Sequence, residues 1–344
     1  MSTSSNSSAF GPGQPSRTSI VVAALRAFGA REPDAIVRNP DYLAERMLTP
    51  SDLEVIRGHP IAGALSEDYT KARQIREVAG MSNLMVVRTR YIDERLQRAI
   101  ENGASQIAIL GAGLDTRAYR FAEQLRGKKV FEVDYRSTQE LKKRRLVEVL
   151  GSLPPHVRFI EIDFKKDSLR EVLSRAGYQP NEKTFFIWEG VSMYLSEGAV
   201  RETLRTISNY SIPGSSLVMD FAEQASIQMF GKFPQLSQHK YTTHWGEPWI
   251  FGVPDMKERD FFRDCGLEAR EILSFFTREA AKRYLTRADG TVLGRTWGGP
   301  PSYQAFSTTI KVLWTFLTHR SRWYALADLV VPANSANSAN SGRD

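Results

Sequence analysis

The 344-residue sequence predicts an α/β fold: a seven-stranded, mainly parallel sheet with helices on both faces and an extra N-terminal helical layer. Three observations carry this. Short apolar runs alternate with helical patterns from residue 104 onward. The first run, Gln106–Leu110, passes straight into Gly111-Ala112-Gly113, a tight turn that opens a helix and leaves no side chain in a ligand's way. The second, within VFEVD (Val130–Asp134), closes on an acid 21 residues after Gly113. In an open sheet of this kind, ligands bind at the carboxyl ends of the strands.

Composition sets the frame. Apolar residues make up 42% of the chain, ample for a core. The length suits one large domain with additions or two small ones. The single cysteine, Cys265, rules out a disulfide within the chain and suits a reducing cytoplasm. No run reaches the ~18–20 apolar residues of a membrane span. Ile310–Leu317 comes closest, and it contains Lys311 and Thr315. The formal charge of +7 is dispersed, apart from Lys142–Arg145 on one helix, so no nucleic-acid partner is expected.

Taken in order, residues 1–17 form a Ser/Gly/Pro-rich disordered lead without an apolar signal core. A single domain is expected over 18–331. Its N-terminal helices (18–103) include Thr18–Gly29, Pro40–Met47 capped by Asn39, and a long amphipathic region Lys71–Asn102. The core (104–220) carries strands at Gln106–Leu110, Lys129–Val133, Val157–Ile162, Thr184–Trp188 and Ser216–Asp220. Asp115 or Thr116 could cap the helix after the glycine turn. Ser137–Gly151 reads as a helix with a Ser137/Glu140 capping box and a glycine stop. Phe221–Phe251 is aromatic and irregular, a lid candidate (221–256). The last part (257–331) holds a helix at Lys257–Cys265 and strands at Leu267–Leu273 and Trp323–Val331; residues 274–322 suggest no element. The repeat PANSANSANSGRD (332–344) is a disordered tail.

Four strand-end signals meet at one edge: Gly111-Ala112-Gly113, Glu132 with Asp134, Asp163-Phe164, and Glu189-Gly190. An acid at the second strand's end can accept from both ribose hydroxyls. An Asp followed by an apolar residue suits adenine. A dinucleotide fingerprint would need a third glycine where Thr116 stands. S-adenosylmethionine therefore fits better than a nicotinamide dinucleotide, although an oxidoreductase on a similar sheet stays open. The histidines and the one cysteine show no metal-ligand spacing, and no GxSxG elbow is present. His239, Tyr241 and His244 cluster in QHKYTTHWGEPW, where a histidine could act as general base for a hydroxyl substrate.

The order LGAGLDTRAYR, FEVD, DF and EGVSMYL, with VVRTRYID upstream and GEPWIFG downstream, resembles the leucine carboxyl methyltransferase family over about residues 18–290. The resemblance implies a class I (Rossmann-like) methyltransferase sheet whose last strand inserts antiparallel, and S-adenosylmethionine as cofactor. It implies that Arg88 grips the methionine carboxylate and that Gly111, Ala112 and Gly113 flank the methionine moiety. It implies Asp134 on the ribose, Asp163 and Phe164 on adenine, and Glu189 near the cofactor amine. Tyr194 would sit near the transferred methyl. The chain departs from the pattern after Leu285 and in PSYQAFSTTIKVLWTF. The expected reaction is O-methylation of a carboxylate or hydroxyl on a small-molecule acceptor. A protein carboxyl terminus, or a scaffold that binds cofactor without turnover, are the alternatives.

Overall fold

β1 (Gln106–Leu110) is buried along its whole length, with Ile107 and Ile109 packing into one core layer and Ala108 and Leu110 into the other. That two-sided burial explains its unbroken apolar sequence. In this computed structural model, which describes residues 15–232, 237–294, 296 and 321–333, β1 is an interior strand of a seven-stranded sheet. Its neighbours are β2 (Lys129–Asp134) and β4 (Thr184–Trp188), both parallel to it. β3 (Val157–Glu161), β5 (Ser216–Ala222), β6 (Glu268–Ser274) and β7 (Tyr324–Val330) complete the order β3-β2-β1-β4-β5-β7-β6. β7 runs antiparallel between β5 and β6, as expected of the last strand. The chain switches direction between β1 and β4, so the crevice opens beside Gly111 and Glu189.

The N-terminal layer holds α1 (Arg17–Ala30), α2 (Pro50–Val55), α3 (Pro60–Ala64), α4 (Tyr69–Ala72) and α5 (Arg76–Glu101). α1 packs on α5 through a face that includes Leu25 and Phe28. Three expectations are corrected here. Ser16 caps α1 and Arg17 begins it, so the ordered chain starts before residue 18; residues 1–14 lie outside the described residues. Pro40–Met47 forms successive turns and no helix. Asn39 Oδ1 accepts from the Asp41 amide at 3.0 Å, and Asp41 is drawn inward by Arg26 at 2.8 Å. Lys71–Asn102 breaks after Ala72, where Arg73 is tied to Asn83 and to the Leu293 carbonyl.

Between the strands lie α6 (Arg117–Arg120), α7 (Arg136–Leu150), α8 (Leu169–Arg175) and α9 (Glu197–Asn209). The α7 capping box does not form, because the helix starts one residue earlier and Glu140 pairs with Arg136 at 3.0 Å. Its glycine stop does form, with Gly151 at φ 83° and open space where a Cβ would go. Gly151→Ala is therefore expected to cost about 1–2 kcal/mol from backbone strain alone. A lower urea midpoint at unchanged slope would show it; an unmoved midpoint would mean that the helix end frays instead.

Phe221–Phe251 is less irregular than its sequence suggests. β5 runs on to Ala222, and α10 (Gln224–Lys232) and α11 (Ser237–His244) follow. α12 (Glu258–Arg263) and α13 (Arg278–Tyr284) flank β6, so part of 274–322 is helical after all. Ile310–Leu317 and most of the 332–344 tail lie outside the described residues. No helix among the described residues is long and apolar enough to cross a membrane.

Candidate functional site

A cavity of about 360 Å³ opens at the carboxyl ends of β1, β2, β3 and β4. It is lined by Gly111, Ala112, Gly113, Asp134, Asp163, Phe164, Glu189, Arg88 and Tyr194, so the predicted strand-end residues do converge.

The glycine turn sits on a buried ion pair. Lys142 Nζ lies 2.7 Å from Glu132 Oε2 and 3.4 Å from the Ala112 carbonyl. Lys142 thus belongs to the core, not to an exposed basic cluster, and Glu132 supports the turn from below. Gly113 N donates to Asp134 Oδ2 at 2.5 Å, and Tyr135 N donates to Oδ1 at 2.6 Å. Desolvation pushes the Asp134 carboxyl up to about 6, against the pull of those two amides and Lys142. Each oxygen keeps a lone pair for a further donor. Asp115 Oδ1 accepts from Arg117 N at 2.7 Å, whereas Thr116 makes no side-chain cap to α6.

Asp163 Oδ1 accepts from Lys165 N at 3.0 Å, and the Phe164 ring lies 6.5 Å from Trp188. Glu189 takes Arg88 Nε at 2.8 Å and Arg117 Nη1 at 2.6 Å. Burial alone would raise its carboxyl, but Arg88 and Arg117 hold it below the usual value. Arg88 also reaches Asp220 at 2.9 Å, the Tyr324 hydroxyl at 3.2 Å and Met85 Sδ at 3.1 Å. Nη1 is thus engaged, whereas the Nε hydrogen, which makes no hydrogen bond despite the short ion pair, and one Nη2 hydrogen remain on one edge of the guanidinium.

These contacts belong to a larger network behind the turn. Arg26, Arg88, Arg117 and Arg120 connect in series with Asp41, Asp93, Asp115, Glu189 and Asp220. Four guanidiniums thus face five carboxylates, each of which pairs with at least one of them. Arg117 and Asp220 carry no sequence pattern of their own, although Arg117 lies inside LGAGLDTRAYR.

The aromatic side of the cavity departs most from expectation. Tyr194, on a 3₁₀ turn (Ser192–Tyr194), lines it beside Trp249, ring centres 6.5 Å apart. Burial first, then the Glu247 charge, push the Tyr194 phenol up, so it stays protonated. His244 is exposed and does not line the cavity, because Tyr241, Thr242 and Trp245 take the inward positions of that segment. The side chain of His239 lies outside the described residues. Glu247, inside the GEPWIFG motif, lines the cavity and accepts from the amides of Arg17 (3.0 Å) and Thr18 (3.3 Å), and from the hydroxyls of Ser16 (3.2 Å) and Thr18. It joins the cavity to the α1 start, which low complexity in the sequence conceals. No group of three metal-ligating side chains occurs among the described residues.

Sheet order, glycine turn and acidic strand ends define a Rossmann-like cofactor-binding protein of the methyltransferase type. The family model of leucine carboxyl methyltransferase matches residues 19–208, more than half of the chain, which belongs to that family. The chain is 30% identical over 221 residues to the "Putative S-adenosyl-L-methionine-dependent methyltransferase YktD" of Bacillus subtilis (strain 168), covering 61% of this chain and 72% of that one. A protein of Mycobacterium sp. (strain JLS) named in the same way is 31% identical over 249 residues, covering 72% of this chain and 76% of the other. Among solved structures, magnesium protoporphyrin IX methyltransferase from Synechocystis PCC 6803 aligns at a TM-score of 0.41 and 11% identity, over 74% of this chain and 86% of that one. As a family member, the chain is an S-adenosylmethionine-dependent methyltransferase.

Proposed function

We propose that this methyltransferase acts on an oxygen, a carboxylate or a hydroxyl, of a small-molecule acceptor. The observation that carries the reading is a cavity with acids at its strand-end wall and aromatic and aliphatic side chains on the rest. A protein carboxyl terminus fits less well, because α1, Glu247 and the α11 segment line the cavity together and narrow its approach.

The residues fit the cofactor. Asp134 would accept from the ribose hydroxyls through its open lone pairs. Asp163 and Phe164 would meet adenine. Gly111, Ala112 and Gly113 would lie along the methionine moiety, whose amine would meet Glu189, and Arg88 would offer its remaining Nε and Nη2 hydrogens to its carboxylate. When bound, the cofactor would supply an electrophilic methyl on its sulfonium, which a carboxylate, or a hydroxyl that reaches the site already deprotonated, could accept. The protein's share is to hold the acceptor oxygen in line and exclude water. A carboxylate needs no base. Tyr194, protonated, would orient the acceptor by donating to it. His244, exposed and outside the cavity lining, is given no role as a base in this reading.

The test is calorimetry with S-adenosylhomocysteine, paired with a turnover assay that separates an enzyme from a binding scaffold. Asp134→Ala is expected to weaken binding by about 1.5–3 kcal/mol, the range for a hydrogen bond to a charged group. Ribose donors favour the ionised carboxylate, so binding lowers its pKa. Affinity should therefore fall as pH drops through about 6, and Asp134→Asn should flatten the profile. In the free protein the sign is opposite: the raised value makes this acid's contribution to stability decline as pH rises toward about 6. Unchanged affinity in Asp134→Ala would remove Asp134 from the ribose site.

A further inference from the structure

His59 caps α3: its Nδ1 accepts from the Ile61 amide at 3.2 Å. A neutral ring whose Nδ1 accepts must carry its proton on Nε2, across the ring from the α3 backbone. Burial lowers the pKa of this histidine to about 4, which keeps the ring neutral. No hydrogen bond among the described residues takes the Nε2 hydrogen. Only 2% of His59 is exposed, yet it lines the cavity. Its ring centre lies 4.6 Å from Tyr241 and 6.2 Å from Trp245, which line the cavity too. These three rings make one wall. A second aromatic group, Trp249 on Tyr324 at 5.4 Å, adjoins Arg88 through the Tyr324 hydroxyl. In the placement proposed above, the methyl donor's polar groups lie at the strand ends and at Arg88, which leaves the His59 wall to the other substrate.

We propose that the His59–Tyr241–Trp245 wall is the acceptor subsite, and that His59 Nε2–H donates a hydrogen bond to an oxygen of a flat, apolar acceptor. This rests on the proposed function above. The rings supply faces for stacking, and the one directed donor selects a molecule that carries an anionic or carbonyl oxygen. His59 is a specificity-determining residue and not a base, since its basic nitrogen is spent on the α3 cap.

The experiment titrates the S-adenosylhomocysteine complex with 2-naphthoate and with 2-methylnaphthalene. His59→Asn keeps an oxygen for the Ile61 amide but lacks the Nε2 donor; His59→Gln places an amide donor near the Nε2 position. Naphthoate is expected to bind the wild type, and H59N should weaken it about tenfold or more. H59Q should stay near wild type, and methylnaphthalene should not distinguish H59N from wild type. Histidine ¹⁵N NMR of the wild type should show the Nε2–H tautomer, with its proton shifted by naphthoate, and this needs no variant to fold. Equal naphthoate affinity in H59N, no naphthoate binding to the complex, or an Nδ1–H tautomer would each overturn the subsite. Failure of S-adenosylhomocysteine itself to bind would instead overturn the cofactor placement.

Discussion

Replacing Arg117 by methionine is expected to lower the stability of this protein by about 3–5 kcal/mol, the cost of removing one partner from a buried ion network. Arg117 is 2% exposed and faces three carboxylates: Asp93 at 2.7 Å, Glu189 at 2.6 Å, and Asp115. Methionine matches the length of the side chain but leaves those acids without their shared cation. Natural domains have only about 5–15 kcal/mol of stability, so a loss of this size should be plain in a urea titration. The sign with pH adds a second check. Burial alone would raise the Asp115 and Glu189 carboxyls, but arginines hold both below their usual values, Arg117 foremost for Asp115 and Arg88 then Arg117 for Glu189. Such acids stabilise the wild type above their unfolded pKa and lose that contribution as pH falls. The gap between wild type and R117M should therefore narrow on acidification. A gap of under about 1 kcal/mol at neutral pH, or one that widens in acid, would show that the network bears little on stability.

That network marks the limit of what the sequence could reveal. The strands were legible because β1 and β4 are apolar on both faces and end at glycine or acidic residues; their predicted ranges match those observed. Asp134, Asp163 and Glu189 were legible as strand-end acids for the same reason: adjacent parallel strands bring their ends together. Partner choice was not. Arg88 reads as a ligand-gripping arginine, yet its guanidinium is mostly committed to Glu189, Asp220 and Tyr324, residues 101 to 236 positions away. Glu247 was hidden similarly, since its partners are Ser16–Thr18, polar residues next to a low-complexity lead. Pro40–Met47 has good helical signals, but Asp41 is held by Arg26 and by the Thr116 hydroxyl at 2.6 Å, and those long-range bonds prevail over a weak local preference.

The two glycines of the turn look equivalent in sequence and should behave differently when replaced by valine. Gly111 has φ 65°, and a Cβ there would lie 2.2 Å from Val191 Cγ2, so the β4 end and the turn could not both keep their places. Gly111→Val is expected to fail as a fold. Gly113 has φ 44°, and its added Cβ would meet Ser19 Cβ at 3.4 Å, an ordinary contact. The strain of a left-handed β-branched residue, about 1–2 kcal/mol, is survivable. The γ-methyls, however, would enter the cavity beside Asp134, where the ribose and methionine moieties are proposed to lie. Gly113→Val should therefore keep its far-UV circular dichroism and lose all measurable heat with S-adenosylhomocysteine. Retained binding in the folded variant would move the cofactor away from the turn. Unfolding of both variants would make Gly113 a structural glycine like its neighbour, with the Gly113–Asp134 hydrogen bond as the contact whose loss explains it.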